Sequence, residues 1–125
     1  MSCKLKLIDL LFDNIDFKRI GRKSDEELQL QFSVNFGTYQ EDESVKKVTV
    51  QISGIKEKEY SFRVQASGFF SFEGDVGDDI IQQNAVAIVM PYVRSQITLL
   101  TAQPGVEPIV FPPFNIVEML KKNGS

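Results

Sequence analysis

Residues 28–36 read Leu28-Gln29-Leu30-Gln31-Phe32-Ser33-Val34-Asn35-Phe36, apolar and polar side chains in strict alternation. A period of two sends successive side chains to opposite faces of an extended chain, so this stretch is a strand with one buried face. The pattern recurs downstream. After a turn marked by Glu41, Asp42, Glu43 and Ser44, the residues Val48, Val50 and Ile52 alternate with Thr49, Gln51 and Ser53. Past a tight turn near 54–58, Tyr60, Phe62, Val64 and Ala66 face away from Ser61, Arg63 and Gln65. Gly68 interrupts this strand, as a bulge or a close backbone approach, and Phe70 and Phe72 rejoin the buried series. Connections this short predict an antiparallel meander of about four strands.

Upstream, residues 3–20 form a longer and less regular strand candidate. Cys3, Leu5 and Leu7 share a face that Ile15 and Phe17 rejoin, yet Asp9 and Asp13 fall on that face and Ile8, Leu10 and Phe12 on the other. Either a bulge switches the sides, or both faces are covered, one of them by a partner chain.

After Phe72 the texture changes. Gly74, Gly77 and the acids Glu73, Asp75, Asp78 and Asp79 predict a loop ending in a helix N-cap, with negative charge suited to the helix dipole. The helix is expected over 80–101, kinked or broken at Pro91. Between Ala85 and Val93 its apolar residues cover nearly the whole circumference, and such a helix is buried on more than one side. A second subunit is the economical cover. Val86, Val89, Met90, Tyr92, Val93 and Ile97 are therefore the expected oligomer interface. The following segment, 102–113, holds Pro104, Pro108, Pro112 and Pro113 with Val106, Ile109, Val110 and Phe111 among them. Loops are ordinarily polar, and this one is apolar and held extended by proline. A short helix is expected over 114–122. The fold class is α+β: a four-stranded antiparallel sheet, a long helix, a Pro-rich crossover loop and a short C-terminal helix.

Composition narrows the function. The 125 residues suit one domain, spanning 1–125, with ordinary globular proportions of hydrophobic and charged residues. No apolar run approaches the ~18–20 residues of a membrane span, and the N-terminus turns acidic at Asp9 before any secretory pattern develops. The single Cys3 suits a reducing compartment, so the expected location is the cytoplasm. A net charge of −3 argues against nucleic acid as a partner. With no histidine, the commonest general base and metal ligand are both missing, and one thiol cannot build a zinc site. No glycine-rich phosphate loop appears. The acids at 73–79 lack the spacing of a calcium loop and read as a solvated turn. The expectation is a protein that is not an enzyme and needs no cofactor.

Several stretches carry a family resemblance. Ile15-Asp16-Phe17 resembles the Ile-Ser-Phe of the first strand in the SecB chaperones of protein export, and Leu28-Gln29-Leu30-Gln31-Phe32 their alternating second strand. Val64-Gln65-Ala66-Ser67-Gly68-Phe69-Phe70-Ser71-Phe72-Glu73-Gly74 is similar to Val-Gln-Gln-Gly-Gly-Ile-Phe-Ser-Ile-Ala-Gly, and Ile88-Val89-Met90-Pro91-Tyr92-Val93-Arg94 to Ile-Leu-Phe-Pro-Tyr-Ala-Arg. Pro112, Phe114 and Asn115 resemble the family's Pro-Pro-Val-Asn-Phe region. The pieces stand in the family's order over roughly 4–120, and the Pro-Tyr-x-Arg and Pro-Pro-x-Asn elements are the most specific.

The resemblance implies an ATP-independent holdase for unfolded polypeptide clients, built as a dimer or a dimer of dimers. Sheets would join through edge strands and helices would pack between dimers. It implies a groove lined by the second strand, the crossover and the last helix. The expected groove residues are Leu28, Leu30, Phe32, Ile109, Val110, Phe111, Phe114, Ile116, Met119 and Leu120, with Phe69, out of phase with its strand, beside them. The family docks on the motor SecA through acidic side chains on the outer sheet face. The matching positions here are Asn14, Lys18 and Arg63, none acidic, so docking on SecA is either not expected or uses other residues. A SecB-like chaperone dedicated to one client such as an antitoxin, and an oligomeric interaction domain without chaperone activity, are the alternatives.

Overall fold

The structure is a computed structural model that describes residues 4–74 and 77–109. Among these residues four strands, β1 (Lys4–Arg19), β2 (Leu28–Thr38), β3 (Val45–Lys56) and β4 (Tyr60–Glu73), precede one helix, α1 (Asp78–Thr101). The strands form a single antiparallel sheet in the order β1-β4-β3-β2, which leaves β1 and β2 as its edges. Helix α1 lies across one face, mainly over β3 and β4, with a lighter contact to β1. Cross-strand register explains the alternation: Val34, Val50, Ala66 and Phe12 stand in one row, and Phe32, Ile52, Val64 and Ile15 in the next. The core between sheet and helix holds Val48, Val50, Ile52, Phe62, Val64, Ala66 and Phe70 against Ala85, Val86, Val89, Met90, Val93 and Ile97. Each large side chain covered there contributes about 1.5–3 kcal/mol.

The irregularity of β1 resolves as two register shifts against β4, between Leu7 and Asp9 and between Phe12 and Asn14. Each inserts one residue, Ile8 and then Asp13, and flips the phase. Leu5, Leu7, Leu10, Phe12, Ile15 and Phe17 consequently pair with alternate β4 residues, from Phe72 down to Phe62, and share the helix-facing side. Gly54 is not a turn residue, as 54–58 had suggested. It sits inside β3, where a Cβ would lie 2.5 Å from the Phe62 ring. The turn falls at 57–59, with Lys58 at φ 66°. At Gly68 β4 continues unbroken, and a Cβ would meet Val89 Cγ2 at 2.7 Å, so the glycine marks a close approach of helix to sheet.

Helix α1 starts at Asp78 and runs through Pro91 without a break. Its N-cap is Gly77, which offers no side-chain cap bond; Asp78 and Asp79 instead bring negative charge to the first turn. The expected interface needs correction. Val86, Val89, Met90, Val93 and Ile97 are buried within the single chain, with no surface left for a second subunit. Strands of 11 to 16 residues make the sheet broad enough to cover them. Only Tyr92 of that set is exposed, on the same side of the helix as the exposed Leu99 seven residues on.

Beyond α1 the chain folds back. Arg19 Nη1 donates to the Gly105 carbonyl at 3.1 Å, and Val106 joins the core. Thr101 Oγ1 accepts from the Ile109 amide at 2.9 Å, and Thr98 Oγ1 donates to the Ile109 carbonyl at 2.7 Å. Two threonines one turn apart thus hold the start of the crossover against the helix.

Candidate functional site

Because α1 is narrower than the sheet, the apolar face continues past it on both flanks. On the β2 flank the even-numbered residues Leu28, Leu30, Phe32 and Phe36 point to the helix side, but β2 lies outside the main footprint of α1. Leu30 is 45% exposed, while Leu28, Phe32 and Phe36 are half-buried against the core rim. Leu30 Cδ2 comes within 3.0 Å of where a Gly54 Cβ would be, so the missing side chain lets Leu30 and Phe62 share the space. On the β1 flank Phe12 and Ile15 are exposed on the same face. The outward edges of β1 and β2 have no strand partner among the described residues. The site is therefore an apolar shelf beside an open strand edge, which offers side-chain burial and main-chain hydrogen bonds together.

The predicted groove residues divide accordingly. Leu28, Leu30 and Phe32 lie together on the shelf. Ile109 is half-buried, packed against the core and fixed by Thr98 and Thr101. Phe69 does not join them. It pairs with Asp9 and Lys47 on the opposite face of the sheet, because β4 keeps a strict period of two through Gly68. Val110, Phe111, Phe114, Ile116, Met119 and Leu120 lie outside the described residues, as does the expected short helix. Phe36, Phe12 and Ile15 were not foreseen as site residues. Phe36 was legible as the last member of the alternating run. Phe12 and Ile15 were hidden by the phase changes in β1.

A clasp holds the base of the shelf. The Glu59 carboxylate is buried; its Oε1 accepts the Ser24 amide at 2.8 Å and lies 3.1 Å from Lys56 Nζ. The Glu59 carbonyl accepts the amides of Ile20 and Gly21. The Ser24 amide, with Lys56 and Arg19 adding positive charge, holds this carboxyl below the ordinary glutamate value. The segment that leads into β2 is thereby pinned to the β3–β4 turn. On the outer face Asn14, Lys18 and Arg63 are exposed, and Asp16 pairs with Arg63 in register. Among the described residues no group of acidic or cysteine side chains is placed to hold a metal ion, and no helix is long and apolar enough to cross a membrane.

The arrangement is that of the SecB-like fold. The SecB-like chaperone Rv1957 of Mycobacterium tuberculosis, solved in complex with a ChAD peptide from the Rv1956 HigA1 antitoxin, superposes with a TM-score of 0.65 over 89% of this chain and 88% of that one, at 14% identity. A protein of unknown function from Streptococcus agalactiae matches at a TM-score of 0.52 and 12% identity, over 89% of this chain and the whole of that one. In sequence, the uncharacterised protein MJ0357 of Methanocaldococcus jannaschii is 28% identical across 95% of this chain and 84% of its own length. No family model matches the chain.

Proposed function

We propose that this chain is a holdase that captures unfolded polypeptide in extended form on the β2 shelf, without covalent chemistry or nucleotide. One observation carries the reading: apolar side chains of an edge strand stand beyond the helix that covers the rest of their face. A client segment laid along β2 would cover Leu28, Leu30, Phe32 and Phe36 and bond to the open strand edge. Each large side chain fully covered contributes about 1.5–3 kcal/mol, so one shelf binds weakly and accepts many sequences. Several shelves on one assembly bind an extended client far more tightly through effective concentration. The assembly is a cytoplasmic homo-oligomer, a dimer or a dimer of dimers, of a single-domain chain. Ile109, Val110, Phe111 and Phe114 of the crossover, with Ile116, Met119 and Leu120, complete the groove. SecA is not a proposed partner, because Asn14, Lys18 and Arg63 replace its acidic docking positions.

The test is suppression of aggregation of a chemically unfolded model protein. The wild type is expected to suppress it and Leu30→Asp to lose most of that effect with an unchanged melting temperature. Equal suppression by both proteins would refute the site. A second reading, service to one dedicated client, is favoured by the likeness to a chaperone bound to an antitoxin peptide. Isolation of the chain from its own cells with a single polypeptide, and weak suppression of unrelated aggregation, would select it.

A further inference from the structure

The sheet face turned away from α1 is polar along most of its length but not at one end. There Ile8, Leu11, Tyr39, Val45 and Phe69 line a hollow of about 290 Å³, with Asp9 and Asp42 on its rim. Ile8 is the residue inserted by the first register shift of β1, and this irregularity leaves it 53% exposed; Leu11 beside it is 47% exposed. The floor is ordered. Tyr39 packs edge-on against Phe69 with ring centroids 5.1 Å apart, and the Tyr39 hydroxyl donates to Glu41. Val45 closes the bottom and is buried.

The rim has a sign. Asp42 Oδ1 accepts both the amide and the hydroxyl of Ser44, at 3.0 and 2.6 Å, which fixes its position. Glu41 and Glu43 flank it in the same turn, and Asp9 stands across the hollow on β1. Two cations stand near the four carboxylates: Lys47, whose ammonium lies 5.6 Å above the Phe69 ring, and the exposed Lys6, which pairs with Ser71 beside Val45, so the negative sign prevails. Carboxylates on both banks of an apolar floor complement an apolar side chain flanked by positive charge. They repel an anionic membrane surface, which would otherwise attract exposed apolar residues.

We propose that this hollow is a second docking site, for a polypeptide segment presenting one large apolar side chain between lysine or arginine residues. It lies across the sheet from the shelf on β2, so a bound client and this partner do not compete. The inference stands apart from the holdase reading, because it concerns other residues on the other face.

The test uses two fluorescein-labelled peptides, Arg-Ser-Phe-Lys and Glu-Ser-Phe-Glu, titrated with the full chain and read by fluorescence anisotropy. The basic peptide is expected to bind at least about tenfold more tightly, and to weaken as salt shortens the electrostatic range. Leu11→Ser and Ile8→Ser change half-exposed side chains, and each is expected to weaken the basic peptide by about tenfold through lost apolar burial. Asp42→Asn is expected to reduce its preference over the acidic peptide. Leu30→Asp is expected to leave the basic peptide unaffected while losing most of the aggregation suppression, which separates failure of this site from failure of the shelf. Equal binding of the two peptides, or loss of binding in Leu30→Asp, overturns the proposal. So does a wild-type oligomer that dissociates in Leu11→Ser, since the hollow would then be a contact between copies.

Discussion

At the scale of single residues, Glu59 ties more of the chain together than its place in a turn suggests. Its side chain serves the Ser24 amide and Lys56, and its carbonyl serves Ile20 and Gly21. Gly21 belongs to the same contact, since a Cβ there would clash with the Lys58 carbonyl oxygen. Removing the carboxylate in Glu59→Ala strands a part-buried amide and a lysine, and is expected to lower stability by about 1–3 kcal/mol in chemical denaturation. Because the folded carboxyl ionises below its ordinary value of 4.5, its contribution is complete above that pH and fades as pH falls through the lower folded value. The gap between wild type and Glu59→Ala should therefore be widest near neutrality and narrow below pH 4.5; a gap independent of pH would deny the carboxylate its role. Gly68 is the matching point on the other side of the core. Gly68→Ala pushes a methyl into Val89 and the Phe70 ring, and overpacking of this kind costs about 1–3 kcal/mol. Unfolding midpoints equal to wild type would show that α1 yields more readily than this packing implies.

At the scale of elements, β2 is built like a core strand and placed like an edge. Its lower half carries Leu28, Leu30 and Phe32 on the helix side, beyond the main footprint of the helix. Phe32→Ser is expected to reduce suppression of aggregation several-fold, with a melting temperature only a few degrees lower, since the side chain is half-buried at the rim. Loss of fold without loss of capture per folded molecule would return Phe32 to the core. Strands β2, β3 and β4 were legible because a sheet with one covered face imposes a period of two on apolar residues. Strand β1 was legible as a strand, but not in its facing, because an inserted residue leaves no mark except a slipped phase, and that slip also fits a strand covered on both sides. Helix α1 was legible in length, but its inward side was not, because Ile80, Tyr92 and Leu99 are as apolar as the residues that reach the sheet. The same ambiguity misplaced Phe69, whose phase pointed out of the core while its composition pointed in. The shelf itself could be named from the alternating run, but its openness depends on the width of α1 against the sheet, which only the packing reveals.

At the scale of the whole molecule, the described residues leave apolar surface in four places: the shelf on β2, the β1 flank at Phe12 and Ile15, the outer-face hollow, and the outward side of α1 at Tyr92 and Leu99. Tyr92 and Leu99, the latter 67% exposed, share that side of the helix. With Val86, Val89, Met90, Val93 and Ile97 committed to the chain's own core, this side is the part of the helix free to meet a second copy. The two sets make opposite predictions. Tyr92→Asp with Leu99→Asp places charge on a surface that the isolated subunit exposes, so the fold is expected to survive with an unchanged circular dichroism spectrum. If copies meet there, the charges are desolvated without partners, and sedimentation should show a smaller particle than wild type. Val89→Arg instead buries a charge beside Gly68 and is expected to unfold the subunit, with helical signal and sedimentation changing together. A wild-type oligomer that keeps its mass in the Tyr92→Asp and Leu99→Asp chain would move the contact to the open edges of the sheet, where paired β1 strands would cover Ile15 and Phe12 instead.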